Sequence, residues 1–124
     1  MGWVSRSSLL VPVAAALLSL ACGTAPVGRA SGGDAEVGRR TIATYGCGSC
    51  HQIPGVDDAD GLVGPPLDHM GSRTFIAGEL ANTPDNMARW VMDPQQVEPG
   101  TAMPDLGISE AEAHDIAAYL QTLE

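Results

Sequence analysis

The chain has 124 residues and a formal net charge of −9 at pH 7, with six Arg and no Lys facing 15 acidic residues. That balance argues against nucleic acid as a partner, because phosphates require a basic footprint. Fifteen Gly, nine Pro and only five aromatic residues argue against a self-sufficient core, so something other than side chains is expected at the centre.

Residues 1–21 read as a secretory signal peptide. Arg6 is the only charge before a 13-residue apolar run from Leu9 to Ala21, which is too short to span a bilayer but suits a signal core. Ser19-Leu20-Ala21 has the small-x-small form of an ordinary cleavage site. Leu18 to Cys22 also resembles, loosely, a bacterial lipobox, in which the cysteine is acylated. Three cysteines, an odd number, leave one over after any pair, and a lipid anchor at Cys22 would account for it. Residues 22–33 are then a flexible linker of small residues, and the folded domain spans 34–124.

Within that domain the helix signals are capping signals. Asp34 and Glu36 open a helix that carries Val37, Thr41 and Ile42 on one stripe and stops at Gly46. The stretch from Cys47 to Gly78 is rich in Gly and Pro and reads as loop with at most a short helical turn. Thr83-Pro84 starts a second helix with Met87, Trp90 and Val91 on one face, ending at Asp93-Pro94. A further loop covers Gln95 to Ile108. Ser109-Glu110-Ala111-Glu112 is a capping box for a third helix, which is expected to run to the C-terminus with His114 on its surface. No alternating strand pattern and no repeat is present. The expected fold is all-α, three main helices joined by loops long enough to wrap something.

Cys47-Gly48-Ser49-Cys50-His51 is a C-x-x-C-H sequence, the attachment signature of a c-type haem. The spacing lets two thiols reach the two vinyl groups on one porphyrin edge while the next residue puts an imidazole under the iron. Zinc would need four ligands, and a thioredoxin-type pair would need a βαβ context; neither is present. A Cys47–Cys50 disulfide would leave the core unfilled. One covalently attached haem c is therefore the expected cofactor, with His51 as an iron ligand.

A second axial ligand has four methionine candidates in the domain. Met87 lies on an apolar helix face, Met92 falls off that stripe and Met70 sits in a Gly-rich loop. Met103 follows Pro99-Gly100-Thr101-Ala102, an extended loop stiffened by proline. Spacing alone leaves the choice open.

From 34 to 124 the chain resembles a class I c-type cytochrome. The residues that carry the resemblance are Gly38 and Ile42, Cys47-x-x-Cys50-His51, Gly64-Pro65-Pro66-Leu67, Trp90 four before Pro94, Pro99-Gly100-Thr101-x-Met103, and Ala118-Tyr119-Leu120. The resemblance implies that His51 and Met103 are the axial ligands and that the Pro65 carbonyl accepts from His51 Nδ1. It also implies that Gly38 lets the terminal helices cross, with Tyr119 over it. Ser72-Arg73-Thr74 through Asn82-Thr83-Pro84-x-Asn86 and Arg89-Trp90 is most similar to the cytochrome c domain fused to subunit II of bacterial haem–copper oxidases. On that likeness Arg73 and Trp90 are candidates for contact with the haem propionates. A solvated charge and a plain core aromatic are the alternatives.

The implied function is an exported one-electron carrier, periplasmic or on the outer face of the cell membrane. Its partners would be respiratory redox proteins, including a haem–copper oxidase. Other readings are an electron-entry subunit of an oxidase or dehydrogenase, and a gas sensor or peroxidase-like protein if Met103 is not a ligand. His69 is the loop histidine available as a distal group or as a replacement for Met103. The chain departs from the lysine-ringed cytochromes: Asp57, Asp58 and Asp60 crowd the loop after the motif, either as a solvated face or as a docking face for a basic partner.

Overall fold

The computed structural model describes residues 1–2 and 32–124. The expected leader beyond its first two residues and the lipidation candidate Cys22 lie within 3–31, outside the described residues. No helix among the described residues is long and apolar enough to cross a membrane.

Each main helix begins where a side chain can satisfy its open backbone donors. Helix α1, Ala35–Tyr45, is capped by the Asp34 carboxylate accepting from the Val37 N–H, and closes on Gly46 at φ 71°. Helix α2, Pro84–Met92, takes its cap from the Thr83 hydroxyl and has Pro at its first position. Helix α3 is a single turn, Pro94–Val97, capped by Asp93. Helix α4, Glu110–Leu120, carries the full reciprocal box between Ser109 and Glu112. Two 3₁₀ turns, Cys47–Ser49 and Met70–Ser72, and a two-strand hairpin, β1 Phe75–Ile76 with β2 Leu80–Ala81, complete the order.

Helix α4 is the centre of the packing, lying against both α1 and α2. Ile42 from α1, Met87, Ala88 and Val91 from α2, and Ala113, Ile116, Ala117 and Leu120 from α4 are buried together. Burial of each Ile- or Leu-sized side chain is worth about 1.5–3 kcal/mol. The α1–α4 crossing is close because Gly38 has no side chain: a Cβ there would sit 1.9 Å from the Asp115 carbonyl oxygen. At the same junction the Asp115 carboxylate, 1% exposed, accepts from the Asp34 N–H at 2.8 Å.

Four expectations change. The Asp93-Pro94 pair ends α2 and also starts α3, since Asp93 caps it through the Gln96 N–H at 3.0 Å. The C-terminal helix stops at Leu120 instead of reaching the end, its cap at Gln121 donating back to Ala117 and Tyr119. A short hairpin exists where no strand pattern is visible, because two-residue strands are too short to alternate. His114 is half-buried, with its Nδ1 enclosed and unpartnered, because α4 packs on two sides. At the helix crossing the Asp115 backbone lies over Gly38, and Tyr119 donates to the Pro54 carbonyl at 2.5 Å.

Candidate haem site

Immediately after α1, the left-handed cap at Gly46 turns the chain into the 3₁₀ turn that carries Cys47 and Cys50. Backbone bonds from Cys50 N and His51 N to the Cys47 carbonyl, at 3.2 and 3.0 Å, fix the turn. Both thiols are free and half-buried. Burial pushes the Cys47 thiol above its ordinary pKa, with the neighbouring Cys50 adding to the rise, so it rests as a protonated thiol.

The following loop is stapled along this turn. Gly61 N donates to the Gly48 carbonyl at 3.0 Å, Gly64 N to Cys50 at 2.8 Å and Leu67 N to Gln52 at 2.8 Å. These bonds bring the Pro65 carbonyl to 2.7 Å from His51 Nδ1. A carbonyl has no proton to give, so Nδ1 donates and Nε2 keeps its lone pair, the form in which imidazole binds a metal. The ring lies against Gly64, where a Cβ would stand 2.3 Å from Cε1.

Arg73 anchors the other side of the same loop. One terminal nitrogen of its guanidinium donates to the Pro66 carbonyl at 2.7 Å and to that of Asp68 at 2.9 Å, and lies 3.6 Å from the Asp68 carboxylate. The remaining guanidinium donors have no protein partner among the described residues. Trp90 is half-buried, packed at the margin of the core.

Burial sets two of the four domain methionines apart from the other two. Met70 and Met87 are core residues, 5% and 1% exposed. Met92 is half-buried on α2, where it lines one cavity with Asp85 and Arg89 of the same helix and His114 of α4. Met103 is half-buried on the loop between α3 and α4. His69 holds an exposed imidazole beside Asp68, at 3.6 Å, on a left-handed residue of φ 56°. Asp57, Asp58 and Asp60 are all exposed on the loop after the turn.

The donor set fits a haem. Two free thiols and one imidazole with its Nδ1 on a carbonyl issue from a single turn, and several large apolar side chains of the domain are exposed. Leu62 and Val63, just before the Gly64 contact, are 83% and 77% exposed, and Phe75 and Leu106 are also exposed. Uncovered apolar side chains of this kind mark a surface that takes an apolar ligand. Gln95 is the residue that sequence reasoning missed. Its side-chain amide bonds three backbone groups of the Met103 loop, and only the fold brings them together.

A mostly helical domain with this donor set falls in the class of haem-binding electron-transfer domains. The family model described as Cytochrome c matches residues 35–124. The chain belongs to the cytochrome c family, with the class I fold. It is 34% identical over 91 residues to the "Cytochrome c oxidase subunit 2" of Alkalihalophilus pseudofirmus, covering 73% of this chain and 26% of that protein. Proteins of the same description from Bacillus sp. (strain PS3) and Bacillus subtilis are 30% and 29% identical, over 67% and 73% of this chain and 24% and 26% of theirs. The chain spans about a quarter of the length of the curated relatives it matches.

Proposed function

We propose that this chain is an exported monohaem one-electron carrier. Cys47 and Cys50 would hold the haem covalently, with His51 and Met103 its axial ligands. The observation that carries the reading is the 2.7 Å contact of His51 Nδ1 with the Pro65 carbonyl, an acceptor that leaves Nε2 for a metal, one residue from a free thiol. When bound, the haem supplies the one-electron Fe(III)/Fe(II) couple, and a His/Met pair raises its potential relative to bis-His.

The protein's part is to hold and insulate. Pro65 makes His51 a better donor. Met103, half-buried and outside the core, is free to serve, whereas Met70 and Met87 already pack other side chains and half-buried Met92 packs against the core from α2. Arg73 keeps guanidinium donors for a propionate, and Trp90 would contribute at the same edge. No acid–base group is required, because only an electron moves.

The likeness to oxidase subunit 2 supports electron exchange with a haem–copper oxidase, either as a free carrier or as an electron-entry subunit of a complex. Export and a lipid anchor at Cys22 complete the proposal, with the carrier on the outer face of the membrane.

Absorption spectra of the purified protein, oxidised and reduced, test the ligand set. Haem should resist acid extraction, and the ferric form should show the weak far-red band of methionine ligation, lost in Met103→Ala and kept in Met70→Leu. Extractable haem, or a band indifferent to Met103, rejects the assignment. Intact mass of the membrane fraction tests acylation of Cys22, and co-purification with an oxidase separates complex subunit from free carrier.

A further inference from the structure

The loop that carries Met103 has little structure of its own. Pro99, Gly100, Ala102 and Pro104 are exposed. Within the loop the backbone is held by Thr101 N to the Glu98 carbonyl at 3.0 Å and by Met103 N to the Thr101 hydroxyl at 3.5 Å. Three shorter or comparable bonds come from a single side chain on α3. Gln95 Nε2 donates to the Thr101 carbonyl at 2.8 Å and to the Met103 carbonyl at 3.0 Å, while its Oε1 accepts from Gly100 N at 3.1 Å. The two ends of the amide are not interchangeable: two carbonyls face the nitrogen and one N–H faces the oxygen, so the network selects this orientation.

The backbone of Met103 is thus held more closely from α3, at 3.0 Å, than from within its own loop, at 3.5 Å. Helix α3 is in turn anchored by buried Pro94 and by the Asp93 cap. We infer that Gln95 is a positioning residue for the Met103 thioether, holding the loop in the arrangement from which the sulfur can stay on the iron. The inference rests on Met103 being an axial ligand. Without the amide, the loop gains conformers in which the sulfur is away and the sixth position is open to a small external ligand. The effect falls on ligation, since Gln95 is itself exposed and contributes nothing to the core.

Holoprotein variants Gln95→Ala, Gln95→Glu and Gln96→Ala test this by imidazole titration of the ferric form, followed in the visible spectrum. Gln95→Ala should bind imidazole about five- to tenfold more tightly than wild type, the scale of one or two lost hydrogen bonds. Gln95→Glu keeps the acceptor for Gly100 but turns oxygen towards two carbonyls, so it should bind imidazole at least as tightly as the alanine variant. Gln96→Ala, whose side chain makes no such bonds, should match wild type. Amide exchange at Gly100 should quicken in Gln95→Ala and less in Gln95→Glu. Imidazole affinity within about twofold of wild type in both Gln95 variants overturns the inference while leaving Met103 as ligand. A wild-type far-red band absent, or retained in Met103→Ala, overturns the ligand reading and this inference with it.

Discussion

His51 Nδ1 and the Pro65 carbonyl oxygen meet at 2.7 Å across 14 residues of chain. The contact is built by backbone and not by a side-chain partner. Proline has no N–H to divert its surroundings, the Gly64 N–H is already bound to the Cys50 carbonyl, and Arg73 holds the next carbonyl, that of Pro66. A main-chain acceptor cannot titrate away or rotate out of place. The orientation of the imidazole, with Nδ1 as the donor, is therefore set by the fold of the loop.

Gly64 is the close-approach point of that arrangement. Gly64→Ala places a Cβ 2.3 Å from His51 Cε1 and 2.6 Å from Nδ1. The ring must shift or the loop must lift, and either lengthens the bond to Pro65. The expected cost is about 2 kcal/mol or more, at the upper part of the overpacking range. Denaturant unfolding measures the loss, and the nitrogen shifts of His51 should report a weakened Nδ1–H bond. An unchanged midpoint and unchanged shifts would refute the contact.

Gly38→Ala is predicted to be the more severe substitution, because its Cβ meets backbone instead of a ring edge. The obstacle is the Asp115 carbonyl oxygen at 1.9 Å, on a helix also pinned by α2, so neither partner can step aside cheaply. A loss of about 3 kcal/mol or more is expected in equilibrium unfolding. Suppression of the variant's soluble yield with retained yield for Arg40→Ala, an exposed site on the same helix, would agree with this. Equal stability of the two variants would not.

The helices were legible because their signals are local. Asp34, Thr83 and Ser109 each announce a start within four residues, and the Cys47–His51 motif carries its own chemistry in five. What the pattern could not carry was long-range. Asp115 is an acid beside an apolar stripe, and no local signal marks it as buried. Its burial follows from α4 packing on two helices at once and from the Asp34 N–H it receives. The half-burial of His114 has the same cause. Gln95 follows an Asp-Pro pair that reads as a helix end, and nothing within its window shows that Gly100, Thr101 and Met103 fold back onto it.

The hairpin offers a stabilising substitution. Its turn holds Ala77 at φ 51° and Gly78 at φ 76°, with Glu79 N donating to the Ile76 carbonyl at 3.0 Å. Glycine is suited to that region, and alanine is not: its Cβ crowds the following carbonyl at a cost of about 1 kcal/mol. Asn-Gly is the favoured pair for two successive left-handed residues. Ala77→Asn should therefore raise stability by up to about 1 kcal/mol, read as a higher unfolding midpoint at unchanged denaturant slope. Ala77→Val, β-branched at the same site, should lower it. The reverse order would show that the turn is not left-handed in solution.

Tyr45 and Glu112 give the α1–α4 contact a pH dependence with opposite signs at its two ends. The Glu112 carboxylate accepts from the Ser109 hydroxyl at 2.6 Å, from Ser109 N at 3.0 Å and from the Tyr45 hydroxyl at 3.1 Å. These bonds, those from Ser109 foremost, hold its pKa below the usual glutamate value. A carboxylate whose folded pKa is depressed adds stability above its unfolded pKa and loses it as pH falls through the folded one. The Tyr45 phenol moves the other way: the bond to Glu112, then burial, push it above the ordinary tyrosine value. Its contribution is complete below the unfolded pKa and fades as pH rises through the folded one. The stability difference between wild type and Glu112→Gln should therefore be flat at neutral pH and shrink on acidification through the glutamate range. In the same variant the Tyr45 hydroxyl loses its charged acceptor. Ultraviolet titration, with Tyr45→Phe isolating Tyr119, should then find Tyr45 ionising at lower pH than in wild type. A difference constant across the acid range, or a Tyr45 titration unmoved by Glu112→Gln, would show that the two helices are not joined through this pair.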